Sequence, residues 1–338
     1  MPRNSLEPAP AQRPAKGPGE DSGKSGWRRW LLAALIIGGL IVGALHWGDV
    51  KKFAELTTKA RPAWLAGALF LQVSTYVSLS AQWWLVLRKA GSGRPILKLL
   101  PLTITKLFAD QVVPTAGVSG NVLLVDRLRS IEVPREHAMA AIILAILAYY
   151  LSYAAGTVIA VAMLALRGKL SLLPLAAAAL LLTVATAIPA AILWLRDKGD
   201  DALPGWLRRR ESVREMFEMV GEAPRELVRD PRLIIQLGLL NFAVFVADAA
   251  TLLMCLFALG VHAPFDAAFV GFTMAAIVTL LGAVPLGLGS FEATSIATLR
   301  LMGVPFEAAL SATLLYRGFA LWLPLALGAV LTRRAMRR

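Results

Sequence analysis

The chain of 338 residues is 57% hydrophobic and only 17% charged, with a mean hydropathy of +0.64; this excludes an ordinary soluble domain and points to a single integral membrane domain. A net charge of +13 would suggest nucleic acid in a soluble protein, but in a membrane protein basic residues sort by side of the bilayer, so no nucleic-acid partner is expected. Cys255 is the one cysteine and His46, His137 and His262 stand on separate segment ends, so no disulfide, no metal and no cofactor are expected.

Residues 1–29 combine prolines, glycines and polar groups, cannot bury enough apolar surface to fold, and read as a disordered cytoplasmic tail. A membrane helix needs about 20 apolar residues, which places spans at 30–47, 62–87, 138–166, 173–195, 233–259 and 307–331. The first is read as retained, because no small-residue cleavage site follows Trp47. Two apolar stretches are left over. Leu99 to Val118 carries Lys106, Asp110 and Pro114, and Ala267 to Met302 carries a glycine-rich break.

Placing the tail, 88–98, 126–136, 196–232 and the C-terminal arginines Arg333, Arg334, Arg337 and Arg338 in the cytoplasm gathers most of the 35 basic residues on one side. That sorting requires each leftover stretch to enter and leave on the same side, the first from the cytoplasm and the second from outside. The expected fold is therefore an all-α polytopic protein of the cell membrane. Its transmembrane domain, 30–332, has about six transmembrane helices and two re-entrant helical hairpins, with both termini cytoplasmic. Within 196–232, Leu203, Trp206, Leu207, Val213, Met216, Phe217 and Val220 recur at helical spacing among arginines. This suits an amphipathic helix, either in the headgroup region or packed on the ends of the spans.

In the second leftover stretch, Gly282-Ala-Val-Pro285-Leu-Gly287-Leu-Gly289-Ser290-Phe291-Glu292 stops any continuous helix, since Pro285 lacks a backbone donor and the glycines loosen the chain. Ser290 is then the expected cap of a new helix from Phe291 to about Met302. Irregular backbone at membrane depth is tolerated where protein buries it or where it lines a water-filled cavity. A cavity is the first functional expectation.

Val113-Pro114 and Val284-Pro285 are 171 residues apart, as are Val133-Pro134 and Val304-Pro305. The same offset pairs Ser119 with Ser290, Arg129 with Arg300 and Glu136 with Glu307, and carries the span at 62–87 onto that at 233–258. Composition alone explains matches of alanine and leucine. It does not explain two Val-Pro pairs at equal spacing. With the topology above, the repeats, about 62–166 and 233–331, run in opposite senses, an arrangement by which transporters place a site near the bilayer midplane.

Both breaks lead into a helix start, Gly117-Val-Ser119-Gly120-Asn121 and Gly287-Leu-Gly289-Ser290, where free N–H groups and the helix dipole can hold an anion. The same glycines would serve equally as tight-turn residues. Arg317 lies in the middle of the last span, where a charge costs at least about 2.5 kcal/mol, and so requires a partner: Glu292, Asp248 or a lipid phosphate. Asp110 and Lys106, four residues apart, share a helix face and can neutralise each other. Gln72, Gln82, Gln236 and Asn241 read first as bonds between helices, and Tyr149, Tyr150 and Tyr153 as packing. No nucleophile elbow, metal spacing or catalytic domain is found, so an enzyme is not expected.

The stretches Pro114-Thr-Ala-Gly117-Val-Ser-Gly120 and Val284-Pro285-Leu-Gly287-Leu-Gly289-Ser-Phe-Glu292, together with Tyr316-Arg317, resemble the lysylphosphatidylglycerol synthase transmembrane family of flippase-like membrane proteins, over about 30–332. In the best-known members the membrane part is similar to a lipid flippase and is joined to a cytoplasmic transferase that this chain lacks. Many members carry Gly-Glu with a following arginine after the first proline; here Asn121 and Arg127 stand nearby and the glutamate is absent. The resemblance implies translocation of an anionic lipid or lipid-linked headgroup, with membrane lipids as partners. On this expectation Arg317, Ser290, Gly287, Gly289, Gly117, Ser119, Gly120 and Asn121 meet the headgroup, while Glu292, Asp248, Asp110 and Lys106 balance or gate its charge. The rival readings are a membrane partner of a separate lipid-modifying transferase, docked through 196–232, and a membrane-embedded enzyme.

Overall fold

The structure, a computed structural model, describes residues 60–112, 118–198, 221, 223–282 and 285–336. The tail, the span expected at 30–47, and Leu203 to Val220 lie outside the described residues. In chain order the helices are α1 (Pro62–Lys89), α2 (Ile96–Val112), α3 (Val118–Arg129), α4 (Arg135–Leu166), α5 (Leu172–Lys198), the short α6 (Arg225–Val228), α7 (Pro231–Ala258), α8 (Phe265–Leu281), α9 (Ser290–Leu301), α10 (Phe306–Arg317) and α11 (Leu323–Met336). A 3₁₀ turn at Pro285–Gly287 precedes α9, and a π turn at Gly318–Trp322 joins α10 to α11.

Among the described residues α1, α4, α5, α7 and the joined α10–α11 are long and apolar enough to cross a membrane. In lipid a spanning backbone has to satisfy its own hydrogen bonds, which helices do. The side chains turned outward agree with that setting, for Phe70, Leu97, Leu166, Leu172 and Trp322 are all largely exposed. The chain is a multi-pass helical membrane protein.

Helix ends are set by proline and glycine in the same way on both sides of α5. Helices α1 and α7 each open with proline, which loses no helical bond there. Each closes on a left-handed glycine, Gly91 at φ 78° and Gly260 at φ 77°. The closing bonds also match: Ser92 N–H donates to Leu87 O and Val261 N–H to Leu256 O. Before α4 and α10, Val133 N–H donates to Leu128 O and Val304 N–H to Leu299 O, with Glu132 (φ 62°) and Gly303 (φ 96°) in the left-handed position.

Lengths agree as well. Helices α1 and α7 have 28 residues each, α2 and α8 have 17, and α3 and α9 have 12. The expected offset of 171 fits the Val-Pro turns. For the first two helix pairs the matching geometry lies 169 apart instead, from Pro62 to Pro231 and from Ile96 to Phe265. The third pair lies 172 apart, from Val118 to Ser290, and the turns before α4 and α10 lie 171 apart.

Helices α1 and α7 form the frame. They run antiparallel over their whole length: Arg61 N–H donates to Ala258 O at 2.8 Å at one end, and Lys89 pairs with Asp230 at the other. Asp230 also caps α7, accepting from the N–H groups of Arg232 and Leu233 at 2.9 and 3.2 Å. Asn241 donates to Gln82 across the same contact at 3.4 Å. Around the frame, α2 packs on α1, α3 and α11, while α8 packs on α7, α9 and α4.

Without a hydrophobic drive between helices in lipid, close approach depends on small residues. The α4–α7 crossing uses them. Ser152 donates to Gly238 O at 3.0 Å, and a Cβ on Gly156 would lie 2.5 Å from the Phe245 ring. Gly156→Ala should therefore overpack this crossing and cost about 1–3 kcal/mol. Thermal unfolding of the detergent-solubilised protein checks this; an unchanged midpoint would show that the crossing is loose.

Candidate functional site

The break after α8 is a chain reversal built from three left-handed residues, Leu286 (φ 60°), Gly287 (φ 61°) and Gly289 (φ 82°). Gly287 has a second reason to be glycine, since a Cβ there would lie 2.5 Å from Thr279 Cγ2. Leu286 has no such freedom, and a strained residue of this kind costs roughly 1–3 kcal/mol. Its carbonyl has a use: Arg317 Nη2 donates to it at 2.7 Å.

Ser290 is not the cap of α9. Gly289 takes that position because its φ of 82° suits glycine, and its N–H donates to Glu292 Oε2 at 2.7 Å. Ser290 begins the helix, and its hydroxyl donates back to Gly287 O at 3.1 Å. The glutamate thus satisfies the N–H of the cap residue itself, a different donor from the one a serine cap would serve. It also fills the anion seat expected at this helix start.

The other oxygen of the same carboxylate, Glu292 Oε1, accepts from Arg317 Nε at 2.7 Å. The Arg317 guanidinium lies 5.2 Å from the centre of the Phe291 ring, which Tyr316 stacks against in turn. A charge at membrane depth is tolerated when paired in this way. Arg317 sits immediately before the π turn, a distortion that recurs at functional sites.

The first break repeats the electrostatic pattern with other residues. Lys106 Nζ pairs with Asp110 Oδ2 at 2.7 Å. The Asp110 carboxylate lies against the first turn of α3, where a Cβ on Gly120 would lie 2.0 Å from Oδ1. Ser119, Gly120 and Asn121 fall within that first turn rather than before it. Gly117 and the Ser119 side chain lie outside the described residues. Each broken helix therefore starts against one of the protein's own carboxylates, and each carboxylate holds a cation.

Those two cations meet at one cavity of about 510 Å³. Its wall takes Gln72 and Tyr76 from α1, Lys106 and Asp110 from α2, Tyr149 and Tyr153 from α4, Asp248 from α7, Thr279 from α8, Phe291 from α9, and Tyr316 and Arg317 from α10. Four buried atoms of this wall have no hydrogen-bond partner among the described residues: Gln72 Oε1, Tyr76 OH, Asp110 Oδ1 and Thr279 Oγ1. Buried polar groups are normally satisfied, so the cavity suits a polar guest. No group of His, Cys, Asp and Glu among the described residues has metal-binding geometry.

Of the residues singled out from sequence, Arg317, Lys106, Asp110 and Asp248 share this cavity, with Glu292 behind Arg317 and Gly287, Gly289 and Ser290 forming the turn beside it. Asn121 is half-buried on α3 and is not part of the wall. Gln72, Tyr76 and Thr279 were not expected there, and Tyr149 and Tyr153 were read first as packing. Gln72 and Tyr76, four apart on one face of α1, were the signal that could have pointed to a polar lining.

The family model of the lysylphosphatidylglycerol synthase TM region matches residues 30–328. A search of curated proteins returns no match to the chain.

The Arg317–Glu292 pair is open to a direct test. Removing either partner leaves a buried charge, so Arg317→Gln and Glu292→Gln should each destabilise by about 3 kcal/mol. The double variant should recover part of that loss, as contacting residues do. Unfolding midpoints of the three variants measure the coupling; additive losses would show that the contact carries none.

Proposed function

We propose that this chain, which belongs to the family of the lysylphosphatidylglycerol synthase transmembrane region, moves an anionic lipid headgroup from one leaflet to the other without changing it covalently. Membership supports a membrane protein concerned with lipid headgroups. The observation that carries the finer reading is the meeting of Lys106 and Arg317, the cations paired with the carboxylates of the two broken segments, on the wall of a single cavity. A phosphate entering there would find three guanidinium N–H donors beyond the two given to Glu292 and Leu286.

The inverted repeat is part of the proposal. Paired helix lengths, identical helix-closing turns and the antiparallel α1–α7 frame support reading α2–α3 and α8–α9 as re-entrant hairpins entered from opposite sides. Broken helices at the interface of inverted repeats let a site open alternately to each side.

The turn beside Arg317 supplies the link between binding and opening. One carboxylate, Glu292, holds both Arg317 and the Gly289 N–H. A phosphate that competes for the guanidinium releases Leu286 O and part of Glu292 together. The strained reversal then loses the contacts that hold it.

The test is a leaflet assay in liposomes of neutral lipid, using phosphatidylglycerol and phosphatidylcholine with fluorescent acyl chains and a membrane-impermeant quencher. Wild-type protein should speed exchange of the phosphatidylglycerol probe well beyond the neutral one, and Arg317→Ala should slow it at least tenfold, equivalent to about 1.4 kcal/mol. Probes that stay on their original leaflet, or a folded Arg317→Ala protein of full activity, would remove this reading.

A further inference from the structure

The charges around the cavity do not balance. Lys106 is matched by Asp110 and Arg317 by Glu292, whereas Asp248, which shares the wall, has no Lys, Arg or His within 4.0 Å among the described residues. Among the groups that interact with it are the uncharged Gln72, Tyr76, Tyr153 and Tyr316.

The elements packed on α7 supply little else that could compensate it. Helix α1 brings Tyr76, α4 brings Tyr149 and Tyr153, α8 brings Thr279 and Phe272, and α10 brings Tyr316 and Arg317, the last already held by Glu292. Across the cavity, α2 offers Lys106 bound to Asp110. An anionic headgroup therefore enters a cavity whose wall already holds one carboxylate without a cation partner among the described residues. Two like charges at close range in low dielectric repel strongly.

We propose that Asp248 takes up one proton with each anionic headgroup, so that guest and proton occupy the cavity together as a neutral pair. This rests on the carrier reading above and names what travels with the lipid. The proton comes from bulk water, binds a carboxylate oxygen of Asp248 and returns to water when the headgroup leaves; no covalent bond of the lipid changes. Asp110 and Glu292 are unsuited to this role, because each lies at the start of a broken helix and holds a cation. Asp248 is in the interior of the unbroken α7. Its charge can change without releasing a helix start.

The experiment follows binding of dihexanoyl-phosphatidylglycerol to the full chain in neutral maltoside detergent, with proton uptake read by a pH indicator in weak buffer between pH 6 and 8. Wild type should take up protons in step with lipid, and its affinity should fall as pH rises, approaching tenfold per unit where one proton is linked. Asp248→Asn should bind the lipid with no proton uptake and with an affinity that does not change with pH. Lipid binding by wild type without protons, or the same uptake in Asp248→Asn, overturns the coupling and leaves the carrier reading standing. No binding by wild type overturns both. Should Asp248→Asn fail to fold, the wild-type proton count decides alone.

Discussion

Backbone that breaks inside a bilayer has to be satisfied by protein, and at the second break of this chain the agent is a carboxylate. At the second break Glu292 accepts the Gly289 N–H; at the first, the Asp110 carboxylate lies against the opening turn of α3. A carboxylate so placed brings its own charge to membrane depth and needs a cation, which Arg317 and Lys106 provide. The cations in turn need a polar space, and the cavity wall is where both are found. Site and fold are thus consecutive answers to one demand: a broken helix needs a cap, the cap needs a counter-charge, and the counter-charge needs a polar environment.

The parts that hold still and the parts free to move are distinguishable on the same grounds. Helices α1 and α7 are uninterrupted, bound to each other at both ends and cross-linked by Asn241 and Gln82. The irregular backbone lies elsewhere, at Leu286 with the left-handed glycines around it, and at the π turn after Arg317. These two irregular places touch through the Arg317 bond to Leu286 O. A rigid antiparallel pair carrying strained segments on its flanks is suited to motion that is local and repeated.

Much of this was legible in the sequence, because long apolar runs and proline-glycine punctuation each have one strong physical meaning in lipid. The spans from 62 onward, the break at Gly282–Glu292 and the need of Arg317 for an anionic partner follow from hydropathy, helix-breaking chemistry and the cost of a buried charge. The capping residue did not follow. Serine is the better cap in general, but the backbone at position 289 turns left-handed, which favours glycine there. The different offsets of the paired helices were hidden for a related reason: Val-Pro pairs mark turns, whereas apolar helices align almost equally well at several offsets. The polar lining from Gln72, Tyr76 and the tyrosines of α4 was obscured because such residues also serve simply as contacts between helices.

The two halves share their backbone plan but differ in how they hold charge, and the difference bears on which half responds to a guest. Lys106 and Asp110 lie four residues apart on one helix, so a ligand that separates them changes side-chain positions within a single rigid element. Arg317 and Glu292 lie on different helices, and Arg317 also binds the turn between α8 and α9. Pulling on that guanidinium acts on α9, on the strained reversal and on the π turn at once. Similar stretches of chain have thus become a fixed electrostatic wall in the first half and a coupled joint in the second. Arg317 is thus the one cation of the cavity tied to both irregular places of the chain, the reversal at Leu286 and the π turn.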